Sequence, residues 1–183
     1  MITERLSFFK KFIHHPGQVG SITPSSHYLA SKMFRNFNWD SINTVVELGA
    51  GTGSFTSYIV DHKRRDCRFI VVEREPDMLN NLKNRFPHLI YGNKAEDLSM
   101  VLKQYDIESV DCIISGLPFA LLEYHQRNEI ADNIRQCLNH EGIFIAFQYS
   151  LQMKKHFKSA FSSVHVGFEL KNIPPAFIYY CKK

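Results

Sequence analysis

At 183 residues, with 44% hydrophobic and 22% charged side chains, the chain has the make-up of one globular domain, which excludes disorder and fibrous classes. A net charge of +4 permits an anionic partner such as RNA or a membrane surface without demanding one. No apolar run approaches the roughly 18 residues of a membrane span, since the longest candidate, Ile113 to Leu122, is broken by Ser115, Gly116 and Pro118.

Glu4, Arg5, Lys10 and Lys11 interrupt the apolar N-terminus, which is not the pattern of a signal peptide. The expectation is a soluble, cytoplasmic, single-domain protein. An amphipathic helix is predicted from about Ile2 to His15, stopped by Pro16-Gly17. Ile2, Leu6, Phe9 and Ile13 form one stripe, widened by Phe8 and Phe12 to an arc of about 160° at 100° per residue. Lys10 and Lys11 lie opposite. Such a helix can rest in an anionic bilayer interface, placing the protein peripherally on the inner face of the membrane, or it can pack on the domain's own core.

Gly20 to Ser26 reads as a turn, with Ser25 and Ser26 as N-caps for a helix from His27 to Phe37. Strands then alternate with helices. Strands are expected at 44–48, 68–73, 88–91, 110–115 and 142–149, and helices at 54–61, 76–85, 95–104, 121–138 and 151–161. Strands this apolar indicate a parallel sheet buried on both faces. Residues 164–170 and 176–181, joined without a helix, must pair antiparallel at the sheet's end. The fold class is α/β: a doubly wound, Rossmann-like seven-stranded sheet of five parallel strands plus a C-terminal antiparallel hairpin, carrying an N-terminal helical arm. Residues 1–40 form the arm and a substrate lid, and residues 41–183 the binding domain, in one structural unit.

Ligands in such sheets bind outside the carboxyl ends of the strands. There the sequence reads Glu47-Leu48-Gly49-Ala50-Gly51-Thr52-Gly53, between a strand and a helix. Glycines allow a sharp turn and close approach of a ligand. About twenty residues on, Glu73 ends the next strand, where a carboxylate can accept both hydroxyls of a ribose. An acid two residues ahead of the first glycine would repel a pyrophosphate, but it suits the cationic amino end of S-adenosyl-L-methionine. The four cysteines, Cys67, Cys112, Cys137 and Cys181, form no C-x-x-C pair. Reduced core thiols and no metal site are expected.

The pattern E-x-G-x-G-x-G resembles motif I of the class I S-adenosylmethionine-dependent methyltransferases, and the resemblance extends from about Ser41 to the C-terminus. It implies S-adenosyl-L-methionine as cofactor, held by Glu47, Gly49, Ala50, Gly51, Gly53, Glu73, Arg74, Ala95, Glu96 and Ser115. Ala95-Glu96 would flank the adenine, although Asn93 and Lys94 separate them from Gly92. Ser115-Gly116-Leu117-Pro118-Phe119 occupies the place of the family's N-L-P-Y or N-P-P-Y acceptor motif, with glycine where the asparagine would be. These five residues are the expected catalytic turn, its aromatic exposed to pack on the acceptor. Ser25, Ser26, His27 and Tyr149 are candidates to meet the substrate or relay its proton.

S-G-L-P-F together with the upstream G-S-I-T-P-S-S resembles the bacterial phospholipid N-methyltransferases, relatives of the rRNA adenine dimethylases. That resemblance implies methylation of a lipid head-group amine such as phosphatidylethanolamine. The alternatives are an rRNA adenine, another small amine, or a non-catalytic protein that binds cofactor or lipid. The rRNA dimethylases carry a further C-terminal helical domain, for which no residues follow the expected hairpin, so lipid is expected over RNA. Oligomeric state is left open.

Overall fold

A computed structural model describes residues 24–35, 37–172 and 174–183, with the backbone alone for residues 24–27. The expected helix at 2–15 lies outside these residues. The elements are α1 (Pro24–Met33), β1 (Thr44–Leu48), α2 (Ser54–His62), β2 (Arg68–Val72), α3 (Pro76–Arg85), β3 (Ile90–Gly92), α4 (Leu98–Gln104), β4 (Val110–Ser115), α5 (Tyr124–Cys137), β5 (Leu138–Gln148), α6 (Lys154–Ala160), β6 (Ser163–Glu169) and β7 (Ala176–Lys182).

All seven strands form one sheet in the order β3-β2-β1-β4-β5-β7-β6. Strands β1 to β5 pair in parallel, and β7 runs antiparallel between β5 and β6. The hairpin therefore folds back so that its second strand, not its first, meets the parallel part. Alternation along each strand divides the core. Val46, Leu48, Ile113 and Phe144 face α4, α5 and α6. Val45, Val71, Cys112, Ile114 and Ile145 face α1, α2 and α3. Burying a large apolar side chain this completely contributes about 1.5–3 kcal/mol, which holds helices as short as the seven-residue α4 and α6 in place. All four cysteines are buried thiols.

Several expected element limits are corrected: the helices at 95–104 and 151–161 shorten to Leu98–Gln104, after a 3-10 turn at Ala95–Asp97, and to Lys154–Ala160. The second helix begins at Pro24 and ends at Met33. Proline's fixed φ suits a first helical turn, so Ser25 and Ser26 lie within the helix and are not its N-caps. Past Met33 the chain folds back through Phe34, Phe37 and Trp39, whose rings pack 4.7–5.6 Å apart. The α5 helix starts at Tyr124, with Gln126 accepting the Glu123 amide at 3.2 Å, and residues 119–121 form a separate 3-10 turn. Strand β5 starts at Leu138, four residues early, beside a register shift in its pairing with β4. Leu29, Ala30, Met33 and Phe34 are buried against the sheet, so this stretch is built into one face of the domain. No described helix is long and apolar enough to cross a membrane.

Candidate active site

The strand order reverses between β1 and β4, which opens a crevice at their carboxyl ends. Buried polar side chains gather there: Glu47, Thr56, Glu73, Ser115 and Gln148. Buried polar atoms are costly, and their convergence marks a candidate site.

The loop after β1 is shaped by three glycines with positive φ, Gly49 at 74°, Gly51 at 56° and Gly53 at 81°, a region that strains other residues. Each has different surroundings. A Cβ on Gly49 would lie 2.9 Å from the Leu117 side chain, and one on Gly53 would lie 2.7 Å from that of Leu82. A Cβ on Gly51 would meet nothing within 4 Å. Gly49 and Gly53 are thus packed between elements, while Gly51 presents bare backbone to open space, as a cofactor cradle requires.

Carboxylates stand on either side of this loop. Glu73 accepts the Gly51 amide at 2.7 Å through Oε2 and the Glu75 amide at 2.9 Å through Oε1. Glu47 is 2% exposed and accepts the Thr56 hydroxyl at 2.7 Å. Burial pushes its pKa up to about 8, with the Glu73 charge adding to the rise and the Thr56 hydrogen bond opposing it. A carboxyl held neutral this way would ionise when a cation entered beside it. Arg74 is exposed next to Glu73, Ala95 is buried, and Glu96 is half-buried, its carbonyl accepting the Asn133 side-chain amide.

The turn at 115–119, expected to meet the acceptor, locks onto the glycine loop. The Gly116 amide donates to the Leu48 carbonyl at 2.9 Å. A Cβ on Gly116 would stand 2.8 Å from the Gly49 carbonyl oxygen, so an asparagine cannot take this place without moving the loop. The close approach of the two loops thus requires a residue without a side chain at position 116. Ser115 is fully buried, and its Oγ accepts the Leu117 amide at 3.1 Å, which shapes the turn. The Leu117 carbonyl accepts the Phe119 amide at 2.9 Å and Gln148 Nε2 at 2.9 Å. Pro118 is half-buried at the rim.

Phe119 is corrected from an exposed aromatic to a core residue. It is 0% exposed, with its ring 5.3 Å from Phe157 and 6.1 Å from Phe144. The 3-10 turn swings it beneath the loop, where a large apolar ring is most stable. The aromatic beside Gly116 is instead Phe147, whose Cε1 would lie 3.6 Å from a Cβ there. Phe147 stacks on Phe55 of α2 at 5.4 Å and meets Tyr149 edge-on at 6.0 Å. Tyr149 is half-buried, and burial raises its phenol pKa, so it stays a neutral hydroxyl. Ser25, Ser26 and His27 lie on α1, whose first side chains are outside the described set.

Sequence reasoning did not single out Thr56, Gln148, Phe55 or Phe147. A glutamine ending an otherwise apolar strand was a usable signal for Gln148. Nothing local distinguished the others. Among the described residues no group of three or more His, Cys, Asp or Glu side chains is placed to hold a metal ion.

The family model for a methyltransferase domain matches residues 46–144, from β1 through the acceptor turn into β5. The chain belongs to the S-adenosylmethionine-dependent methyltransferases. An ornithine lipid N-methyltransferase from Singulisphaera acidiphila is 34% identical over 180 residues, covering 96% of this chain and 94% of that protein. Among solved structures, a 1,6-didemethyltoxoflavin-N1-methyltransferase from Burkholderia thailandensis, with S-adenosylhomocysteine bound, aligns with a TM-score of 0.70 at 14% identity, over 97% of this chain and 86% of that one. The N-methyltransferase NodS from Bradyrhizobium japonicum aligns with a TM-score of 0.66 at 14% identity, over 88% and 97%. At such identities these two likenesses establish the shared fold. The enzyme's cofactor is S-adenosyl-L-methionine, and the bare backbone over Gly51 between two carboxylates fits it.

Proposed function

We propose that this enzyme methylates the amine of a membrane-lipid head group. The observation that carries the reading is the near full-length similarity to an ornithine lipid N-methyltransferase. The acceptor turn supports it. With no side chain at Gly116 there is no amide to grip a planar base amine, and the aromatic ring beside it is that of Phe147.

In this reading Glu47 faces the ammonium of the cofactor's methionine end. Glu73, which accepts the Gly51 amide, would hold the ribose hydroxyls, and Arg74, Ala95 and Glu96 would flank the adenine. When bound, S-adenosyl-L-methionine supplies an electrophilic methyl group on a sulfonium. The protein's task is then to align the amine and exclude water. A primary alkylamine titrates near 10, as lysine does, so it must lose a proton before it can react. Leu117, Pro118 and Phe147 wall the turn with apolar surface, which favours the neutral amine. Residues 2–15 hold the enzyme peripherally on the cytoplasmic face of the membrane.

The test incubates the full chain with labelled cofactor and one acceptor at a time: vesicles with ornithine lipid, vesicles with phosphatidylethanolamine, ribosomal RNA, or free ethanolamine. Label is expected in the lipid extract of one or both vesicle preparations. Label confined to RNA or to the soluble amine overturns the reading.

A further inference from the structure

Away from the cofactor loop, a groove of about 690 Å³ runs between the end of α1 and the outer sheet. Its size falls in the range of about 300–1,000 Å³ typical of small-ligand sites. Ile143 and Ile145 of β5 and Tyr180 of β7 form an apolar floor. The Tyr180 hydroxyl donates to the Lys32 carbonyl at 3.2 Å, which pins the last turn of α1 over the strands and leaves the groove beside it.

The charges around the groove share one sign. Lys32 and Arg35 line it, beside the His165 imidazole, and no acidic side chain among the described residues does. A further cation, Lys171, sits over the Tyr28 ring at 5.5 Å, joining the far end of β6 to α1. The nearby carboxylate of Glu169 is turned to the Lys171 amide at 2.8 Å. An apolar floor beside the cations Lys32 and Arg35 suits a ligand with an aliphatic body and an anionic end.

The floor also leads somewhere. Ile143, Ile145 and Phe147 alternate along one face of β5, and Phe147 stands beside Gly116. At about 3.3 Å per residue, the row brings the groove within a few residues' length of the acceptor turn. We propose that this groove takes the acyl chain of an anionic lipid, with its charged end held by Lys32 and Arg35. The inference concerns lipid binding itself, so it is measured without methyl transfer and stands or falls apart from the acceptor assignment.

Trp39 is the chain's single tryptophan, and its ring lies 4.7 Å from that of Phe37, which lines the groove. Its fluorescence therefore reports occupancy. The full chain is titrated with lyso-phosphatidylglycerol carrying a brominated acyl chain, below its micelle-forming concentration, and separately with the matching lyso-phosphatidylcholine. A Cβ on Gly167 would make ordinary contact, 3.5 Å from Tyr180, so Gly167→Leu fills the groove without a backbone clash. Saturable quenching is expected with the anionic lipid, at least tenfold tighter than with the zwitterionic one. Binding is expected to weaken at least tenfold in Gly167→Leu and in Lys32→Glu/Arg35→Glu, with S-adenosylhomocysteine affinity unchanged. If Gly167→Leu no longer binds S-adenosylhomocysteine, the charge-reversed variant decides. Equal quenching in wild type and variants, or equal affinity for the two lysolipids, overturns the proposal. Quenching that appears only in a Phe9→Ser/Phe12→Ser chain would assign the groove to the chain's own N-terminal segment and overturn it equally.

Discussion

The two halves of the crevice are built on different principles. On the β1–β2 side the site is made of backbone and carboxylate: glycines at positive φ, an open face over Gly51, and Glu47 and Glu73 on either flank. On the β4–β5 side it is made by packing between distant segments. Gly116 rests on the Gly49 carbonyl, Gln148 holds the Leu117 carbonyl, and Phe55 stacks on Phe147. A cofactor common to a family is met by a short local motif. In the proposed reading the acceptor is met by contacts that no single stretch contains.

The largest effect expected from disturbing this division is at the seam itself. Gly116→Asn, which restores the family's residue, should drive a side chain into the Gly49 carbonyl and lower methyl transfer more than a hundredfold. In the proposed assignment cofactor binding should weaken with it, since the displaced loop is the one that would cradle the cofactor. Calorimetry with S-adenosylhomocysteine checks this, and unchanged affinity would show the two halves to be independent.

Next comes Glu73→Ala, which leaves the Gly51 and Glu75 amides without their acceptor. In the proposed assignment it also removes the ribose contact, weakening cofactor binding by about 1–3 kcal/mol, the scale of hydrogen bonds to a charged group. The acceptor KM should move little.

Glu47 sharpens the contrast through pH. Its pKa is raised to about 8, so the carboxyl is neutral in the free enzyme at pH 6–7 and must release a proton to meet a cationic amino group. Affinity for S-adenosylhomocysteine should therefore rise about tenfold per pH unit from 6 to 7 and flatten above 8, since one pK unit is 1.36 kcal/mol. The folded state holds this proton more tightly than the unfolded chain does. The free enzyme should accordingly lose stability as pH climbs from about 4.5 to 8. Glu47→Gln, which can still accept the Thr56 hydroxyl, should abolish both dependences. Thermal melts and calorimetry across that range check them.

The smallest effect is expected on the acceptor side. Gln148→Leu removes the side-chain bonds to the Leu117 and Phe147 carbonyls and should cost about 1–2 kcal/mol of stability. It should raise the acceptor KM and leave cofactor affinity alone.

What could be read from the chain follows the same boundary. Strands 44–48 and 110–115 and the helix at 76–85 carry their own apolar runs, turns and proline, so local pattern suffices, and the observed limits match. The glycine loop was legible because its glycines stand close together between a strand and a helix, with the acid Glu73 ending the next strand about twenty residues on. Phe119 was misplaced because an aromatic after Pro118 looks the same whether the turn swings it inward or outward. Only packing against Phe144 and Phe157 decides. The meaning of Gly116 was hidden for a like reason: its constraint is the carbonyl of Gly49, sixty-seven residues away. Thr56, Phe55 and Phe147 acquire their places when α2 docks on the sheet, which no window of sequence contains.

The most direct measurement is a crystal structure of the enzyme with S-adenosylhomocysteine. The account predicts density over the bare backbone of Gly51, ribose hydroxyls on Glu73, and the amino group against an ionised Glu47. Ligand bound elsewhere, or a loop left empty at saturating concentration, would contradict it.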